Sequence, residues 1–130
     1  MILCDTNILI EFYKGNSAII DELHEIGLPD LTVSVITIGE LFHGARDKLE
    51  LVKMQKHLAL MKQIPLDGDI SDRFLTLLEE YALSHRLSVS DALIAATALS
   101  QNLPIYILNV KDFRFIPDLR FQAIVWLFYK

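Results

Sequence analysis

Short apolar segments alternate with helical patterns along the chain, and this alternation restricts the fold more than any other feature. Strands are predicted at residues 1–4, 31–34, 64–66, 105–108 and 121–127. Helices are predicted at residues 6–13, 16–26, 37–45, 48–63, 68–85 and 91–100. Strands this short and apolar need cover on both faces. The pattern therefore predicts a single α/β domain over residues 1–130, a three-layer sandwich with helices on both faces of a central parallel sheet of four to five strands.

The composition favours a folded protein of a reducing compartment. With 130 residues, 52% of them hydrophobic, the chain can bury a core of its own and is not expected to be disordered. The single cysteine, Cys4, rules out an internal disulfide framework and fits the cytoplasm. No apolar stretch approaches the roughly 20 residues that span a bilayer. Because Asp5 interrupts the first apolar run, we do not expect a signal peptide.

The net charge of −5 argues against broad adhesion to nucleic acid, which needs a basic surface. It does not exclude an enzyme that acts on nucleic acid. Carboxylates gathered around a metal ion make a site locally acidic, and the ion can then attract phosphates.

Three aspartates stand beside predicted strands or helices, and each could have a structural role or belong to a functional site. Asp5 follows the first strand and could cap the next helix or belong to a site. Asp91 follows Ser90, the predicted N-cap of its helix, and would favour the positive helix end. Asp112 could be a solvated loop residue. Asp5 and the pair Asn109 and Asp112 follow strand ends, where parallel sheets bind ligands.

Glu40 is the fourth acid in an apolar setting. It follows Thr37 by three residues, which fits a capping box if the helix begins there. If the helix begins near Ser34 instead, Glu40 faces inward between apolar neighbours.

Four segments, taken together, carry a resemblance to a known family: DTNILI (5–10), SVITIGELFHGA (34–45), SVSDALIAATAL (88–99) and IYILNVKDF (105–113). In content and order they resemble the motifs of the PIN-domain family, in particular the small VapC-type toxins of toxin–antitoxin pairs. The resemblance covers essentially the whole chain. One position departs from the pattern: Ile107 stands where the family commonly has a threonine, which removes a hydroxyl near the expected site.

The resemblance implies a PIN-like fold and a metal-dependent endoribonuclease that hydrolyses RNA phosphodiester bonds with Mg²⁺ or Mn²⁺. Its implied catalytic and metal-binding acids are Asp5, Glu40, Asp91 and Asp112. Asp5 and Asp91 would bind the ion directly, Asp112 directly or through water, and Glu40 through water or as a base that orients the attacking water. The implied supporting residues are Thr6, Asn7 and Asn109, and the candidate RNA contacts are Lys111 and Arg114.

The resemblance also implies partners. These are an RNA substrate, a cognate antitoxin that neutralises the toxin, and a second copy of the chain in a homodimer. The alternative is a catalytically weakened PIN-fold protein that acts through partner binding. The observation that favours this alternative is Ile107, which lacks the hydroxyl of the usual threonine. A phosphoacceptor receiver-like domain is disfavoured, because Asp5 has no second acid beside it and Asn109 stands where a lysine would be needed.

Overall fold

The computed structural model describes residues 1–123, and its centre is a five-stranded sheet with the order β3-β2-β1-β4-β5, all strands parallel. The strands are β1 (Ile2–Cys4), β2 (Leu31–Ser34), β3 (Lys62–Ile64), β4 (Ile105–Ile107) and β5 (Phe121–Ala123). The helices are α1 (Thr6–Tyr13), α2 (Ser17–Ile26), α3 (Val35–His43), α4 (Lys48–Leu58), α5 (Gly68–Tyr81) and α6 (Val89–Gln101). This architecture confirms the predicted three-layer α/β class.

Two apolar cores lie on opposite faces of the sheet, because successive strand residues point to opposite sides. Leu3, Ile105 and Ile107 belong to the core that α5 and α6 complete. Cys4 and Tyr106 belong to the core on the other face, with residues of α1, α2 and α4. Cys4 is fully buried, as expected of a packing residue.

Helix α3 begins two residues earlier than predicted, at Val35 rather than Thr37. The physical reason is the cap: the side-chain oxygen of Ser34 accepts a hydrogen bond from the backbone N–H of Ile36 at 3.2 Å. Thr37 is therefore inside the helix, and the capping box that pairs it with Glu40 is wrong. The other interpretation, a start near Ser34, is confirmed.

Strand β3 also lies earlier than predicted, at Lys62–Ile64 rather than residues 64–66, and α4 ends at Leu58 rather than residue 63. The strand is at the edge of the sheet, so only one side of its backbone pairs with β2. Lys62 and Gln63 are exposed there. A polar edge strand lacks the apolar signal that marks the central strands, which is why its first residues resembled helix.

Helix α5 ends at Tyr81, four residues before the predicted end. The backbone N–H groups of His85 and Leu87 both donate to the carbonyl of Tyr81, and Arg86 adopts a left-handed backbone with φ 53°. The last predicted strand, residues 121–127, is confirmed as β5 over Phe121–Ala123, and its remainder lies outside the described residues. None of the helices described between residues 1 and 123 has the length and apolar content needed to cross a membrane.

Candidate active site

The four predicted acids come from four different parts of the fold that meet at one edge of the sheet. Asp5 directly follows β1, and Asp112 follows the adjacent strand β4 by a short turn. Glu40 is on α3, which leaves the end of β2, and Asp91 is in the first turn of α6. Each of the other three carboxylates acts electrostatically on Asp5. The fold thus brings all four into one electrostatic neighbourhood, as the order of the motifs predicted.

Asp5 is the most buried of the four, with 4% of its surface exposed. Burial raises its pKa from the ordinary value of 3.8 to about 7, and the negative charge of Asp91 adds to the rise. A hydrogen bond from the backbone N–H of Thr6 lowers the pKa, while Glu40 and Asp112 raise it further. Asp5 begins α1 without a side-chain capping bond, so the cap interpretation does not account for its carboxylate.

Asp91 is half-buried, and burial, followed by the charge of Asp112, raises its pKa. The Ser88 hydroxyl lowers that pKa by hydrogen bonding, and Glu40 raises it. Ser88, not Ser90, is the N-cap of α6: its oxygen accepts a hydrogen bond from the backbone N–H of Asp91 at 3.0 Å. The prediction that Ser90 caps the helix is wrong, because the helix begins two residues earlier than predicted, at Val89 rather than Asp91.

Glu40 is held at both carboxylate oxygens by hydroxyl groups. The Thr6 hydroxyl donates to Oε1 at 2.9 Å, and the Ser90 hydroxyl donates to Oε2 at 2.8 Å. The Thr6 and Thr37 hydroxyl oxygens are also 2.9 Å apart. Since Thr6 has a single hydroxyl proton and gives it to Glu40, Thr37 must be the donor to Thr6. We call these four side chains the hydroxyl network: Thr6, Thr37, Glu40 and Ser90.

The segment after β4 is held by local hydrogen bonds and by Phe113, which is buried in the core. The Asn109 side-chain oxygen accepts from the backbone N–H of Lys111 at 3.1 Å, and so caps the 3-10 turn Val110–Asp112. Asp112, Lys111 and Arg114 are all exposed. We call residues 109–114 the exposed segment after these side chains, although Phe113 within it is buried. Asn109 therefore shapes the turn that carries Asp112.

Asn7 is exposed at the start of α1, next to the buried Thr6. The two residues, predicted as a pair of supporting groups, thus have different surroundings. Thr6 bonds to Glu40 inside the site, whereas Asn7 faces solvent.

The donor set suits a small divalent cation. No ion pair between residues 1 and 123 involves any of the four carboxylates, so their charge is not balanced by lysine or arginine. Carboxylate oxygens are the ligands that Mg²⁺ and Mn²⁺ prefer. Within the same described range, no three His, Cys, Asp and Glu side chains are assembled as a ready metal cage. Mg²⁺ tolerates such an open set, because it usually keeps several waters and takes one or two carboxylates.

Ile107 is fully buried and packs in the core with Leu3 and Phe113. Its side chain is apolar and donates no hydrogen bond to the carboxylates. The effect of the missing hydroxyl on activity stays a prediction.

Thr37 and Ser90 are site residues that the sequence patterns missed. Both had been assigned to helix caps, and both prove to donate hydrogen bonds within the site. The signal that could have separated the two roles was present. A serine three residues before Asp91 (Ser88) competes with Ser90 for the cap, as Ser34 does with Thr37.

A cleft of about 660 Å³ opens beside Glu40, between α1, α3 and α4. Its wall combines apolar and charged side chains, among them Ile10, Leu41, Met54, Lys14, Arg46 and Lys53.

The chain belongs to the PIN domain family, whose model matches residues 2–116. A ribonuclease of Mycobacterium tuberculosis, VapC10, is 34% identical over 122 residues, which are 92% of this chain and 91% of that protein.

Solved structures are similar over the same extent. A toxin–antitoxin complex from Klebsiella pneumoniae contains a chain 33% identical, with TM-score 0.78, matched over 92% of this chain and 95% of that one. In VapBC-1 from nontypeable Haemophilus influenzae the identity is 27% and the TM-score 0.76, over 95% of this chain and 98% of that one.

Proposed function

We propose that this protein is a metal-dependent endoribonuclease, the toxin of a type II toxin–antitoxin pair that a cognate antitoxin neutralises. The observation that carries the proposal is the meeting of Asp5, Glu40, Asp91 and Asp112, without a balancing cation, at the carboxyl edge of the sheet. The similar proteins named as a ribonuclease and as a toxin–antitoxin complex support the same activity and the same kind of partner.

The acids have distinct roles in this proposal. Asp5 and Asp91 bind Mg²⁺ or Mn²⁺ directly, because they are the two whose burial and mutual repulsion a cation would relieve most. Asp112, on its exposed turn, binds the same or a second ion, directly or through water. When bound, such an ion lowers the pKa of an attacking water and neutralises charge that develops on the phosphate.

The remaining residues orient the reactants. Glu40, with one hydroxyl donor on each oxygen, retains free lone pairs that can hold and orient the attacking water. Asn109 shapes the turn that presents Asp112. Asn7 faces solvent beside Asp5, where it can donate to the scissile phosphate. Lys111 and Arg114 are free on the surface to contact neighbouring phosphates of the RNA.

The partners follow from the same proposal. The antitoxin covers the cleft beside Glu40, whose wall offers apolar contacts from Ile10, Leu41 and Met54 and charges at its rim. The toxin acts in the cytoplasm, where RNA is accessible, and as a homodimer. The buried free thiol of Cys4 is compatible with a reducing compartment.

Cleavage of a defined single-stranded RNA by the purified protein tests the activity. We expect cleavage with Mg²⁺ or Mn²⁺, no cleavage with excess EDTA, and none by Asp91→Asn in either condition. Asp21→Asn, which removes an exposed carboxylate from α2, serves as the matched control and should cleave like the wild type. Cleavage that persists in EDTA, or in Asp91→Asn, would contradict the proposed mechanism.

Growth of a bacterial host tests the toxin role. Induced expression of the wild type should stop growth, whereas Asp91→Asn should not. If a short reading frame adjoins this gene, co-expression of its product should restore growth, and that product should co-purify with the toxin. If growth is unimpaired although the purified enzyme cleaves RNA, the toxin assignment would be contradicted and the ribonuclease activity would stand.

A further inference from the structure

The two hydroxyl donors of Glu40 are chain neighbours of Asp5 and Asp91. Thr6 directly follows Asp5, and Ser90 directly precedes Asp91. Through bonds of 2.9 and 2.8 Å, the single carboxylate of Glu40 connects the start of α1 to the first turn of α6. The two contacts join residues 34 and 50 positions apart in the sequence. Glu40 is therefore in a position to set how far apart Asp5 and Asp91 lie.

We propose that Ser90 and Thr37 are positioning residues, which with Thr6 hold Glu40 so that it fixes the separation between Asp5 and Asp91. The inference rests on the proposed function, because that separation matters only if the two aspartates bind the same cation. It adds two residues, Ser90 and Thr37, to those expected to affect catalysis.

Electrostatics explain why such a connection is needed. Asp5 and Asp91 repel each other whenever both are ionised, so without a cation they tend to move apart. A lysine or arginine between them would hold them together, but it would also cancel the negative charge that attracts the cation. Neutral hydroxyl groups avoid this conflict, since they fix Glu40 through hydrogen bonds and leave the charge of the site unchanged.

Thr37 controls the direction of the Thr6 hydroxyl. Thr37 is fully buried on α3, one helical turn before Glu40, and its hydroxyl donates to the oxygen of Thr6. This leaves the Thr6 proton for Glu40. Replacing Thr37 by valine keeps the shape of the side chain but removes the donor, so the Thr6 hydroxyl loses one of the two contacts that orient it.

The length of the side chain at position 40 is part of the same arrangement. An aspartate there would be shorter by one carbon–carbon bond, about 1.5 Å. Because the two hydroxyl donors lie on different helices, a shorter carboxylate could not keep both bonds. Glu40→Asp should therefore weaken Mn²⁺ binding as the loss of the hydroxyl network does, although the charge at position 40 is conserved.

Ser90→Ala is the principal test, with Mn²⁺ affinity measured by calorimetry as a readout that needs no RNA. We expect the dissociation constant for Mn²⁺ to rise about tenfold, the lower end of the range for one lost hydrogen bond to a charged group. We expect kcat to fall by a similar factor and KM for RNA to change less than twofold. Ser90→Thr, which keeps the hydroxyl, should restore both values. Thr37→Val and its rescue variant Thr37→Ser should show the same pattern with smaller changes.

Thr97→Val is the matched control for a merely structural effect. Thr97 is a buried hydroxyl of the same helix, α6, and donates only to the carbonyl of Leu93 at 2.8 Å. Thr97→Val should lower the melting temperature about as much as Ser90→Ala does, because it also removes one hydroxyl hydrogen bond, but it should not change the affinity for Mn²⁺.

A double-mutant cycle separates positioning through Glu40 from a direct effect of Ser90. If Ser90 acts through Glu40, then Ser90→Ala in a Glu40→Ala background should change Mn²⁺ affinity less than twofold. An equal effect in both backgrounds would overturn the inference, as would a Ser90→Ala protein that binds Mn²⁺ and cleaves RNA like the wild type. A wild-type protein that neither binds Mn²⁺ nor cleaves RNA would instead overturn the proposed function, and this inference with it.

Discussion

The two halves of the candidate site are built differently. The hydroxyl network ties α1, α3 and α6 together, and Asp5 and Asp91 lie beside it with raised pKa values. The exposed segment, residues 109–114, carries Asp112 on a turn that is held by local hydrogen bonds and by the buried Phe113. In the first half, hydroxyl groups on three helices connect the surroundings of the acids, whereas in the second half Asp112 is exposed on a turn that Phe113 anchors in the core. The four carboxylates share a neighbourhood without forming a ready cage.

The largest difference between the two halves should appear in the rate of RNA cleavage. Asp5→Asn removes the most buried carboxylate, and we expect cleavage to fall at least about 10³-fold, since metal stabilisation of the developing charge is worth several kcal/mol. The measurement is a single-turnover rate at saturating Mn²⁺. A circular dichroism spectrum like that of the wild type shows that the variant folds. A loss below about tenfold would mean that Asp5 is not a direct ligand.

The dependence of the free energy of unfolding on pH should reveal the protonation of Asp5 in the buried half of the site. Because the pKa of Asp5 is raised from 3.8 to about 7, the folded protein keeps a proton that the unfolded chain releases between these values. Stability contributed by this group is therefore present at low pH and lost as pH rises from about 4 to about 7. The full penalty, on the order of 4 kcal/mol, applies above pH 7.

Asp5→Asn isolates this contribution because asparagine stays neutral. In EDTA, the free energy of unfolding of Asp5→Asn should exceed that of the wild type by an amount that grows between pH 4 and pH 8. Urea unfolding at several pH values measures it. A difference that stays constant over this range would show that Asp5 is not perturbed as described.

Asp112→Asn should have a smaller effect than Asp5→Asn. We expect about a 10- to 100-fold loss of cleavage, the range for groups that support a metal through water or hydrogen bonds. The same single-turnover assay measures it. A loss as large as that of Asp5→Asn would erase the distinction between the two halves and make Asp112 an equal ligand.

The smallest effect should come from the cations of the exposed segment. Lys111→Ala should weaken RNA binding about two- to fivefold, the value of one exposed ion pair. It should also reduce the slope of log affinity against log salt by about 0.7 if one single-strand phosphate contact is lost. Lys62→Ala, which removes an exposed charge from the edge strand β3, is the control and should leave the slope unchanged.

Much of this fold could be predicted from the sequence because its central strands are short and apolar. Residues 2–4 and 105–107 are buried on both faces of the sheet, and such strands are marked by their composition. The edge strand β3 and the first turns of α3 and α6 were misplaced. An edge strand can be polar, and two serines or threonines near a helix start compete for one cap.

The candidate site was predictable only in part, for a different reason. Asp5 and Asp112 could be placed because they follow neighbouring strands of one sheet. The roles of Thr37 and Ser90 depend on partners 31 and 50 residues away. A local sequence pattern cannot predict such contacts, because they form only when the helices pack together in the folded protein.

Titration of Mn²⁺ into the wild type and into Asp5→Asn tests the central claim most directly, because it needs neither an RNA target nor an antitoxin. The carboxylate site predicts saturable binding by the wild type at pH 8, and no measurable binding by Asp5→Asn at the same concentrations. Equal binding by both proteins, or none by a wild type that still cleaves RNA in EDTA, would contradict the account of a metal site built on Asp5.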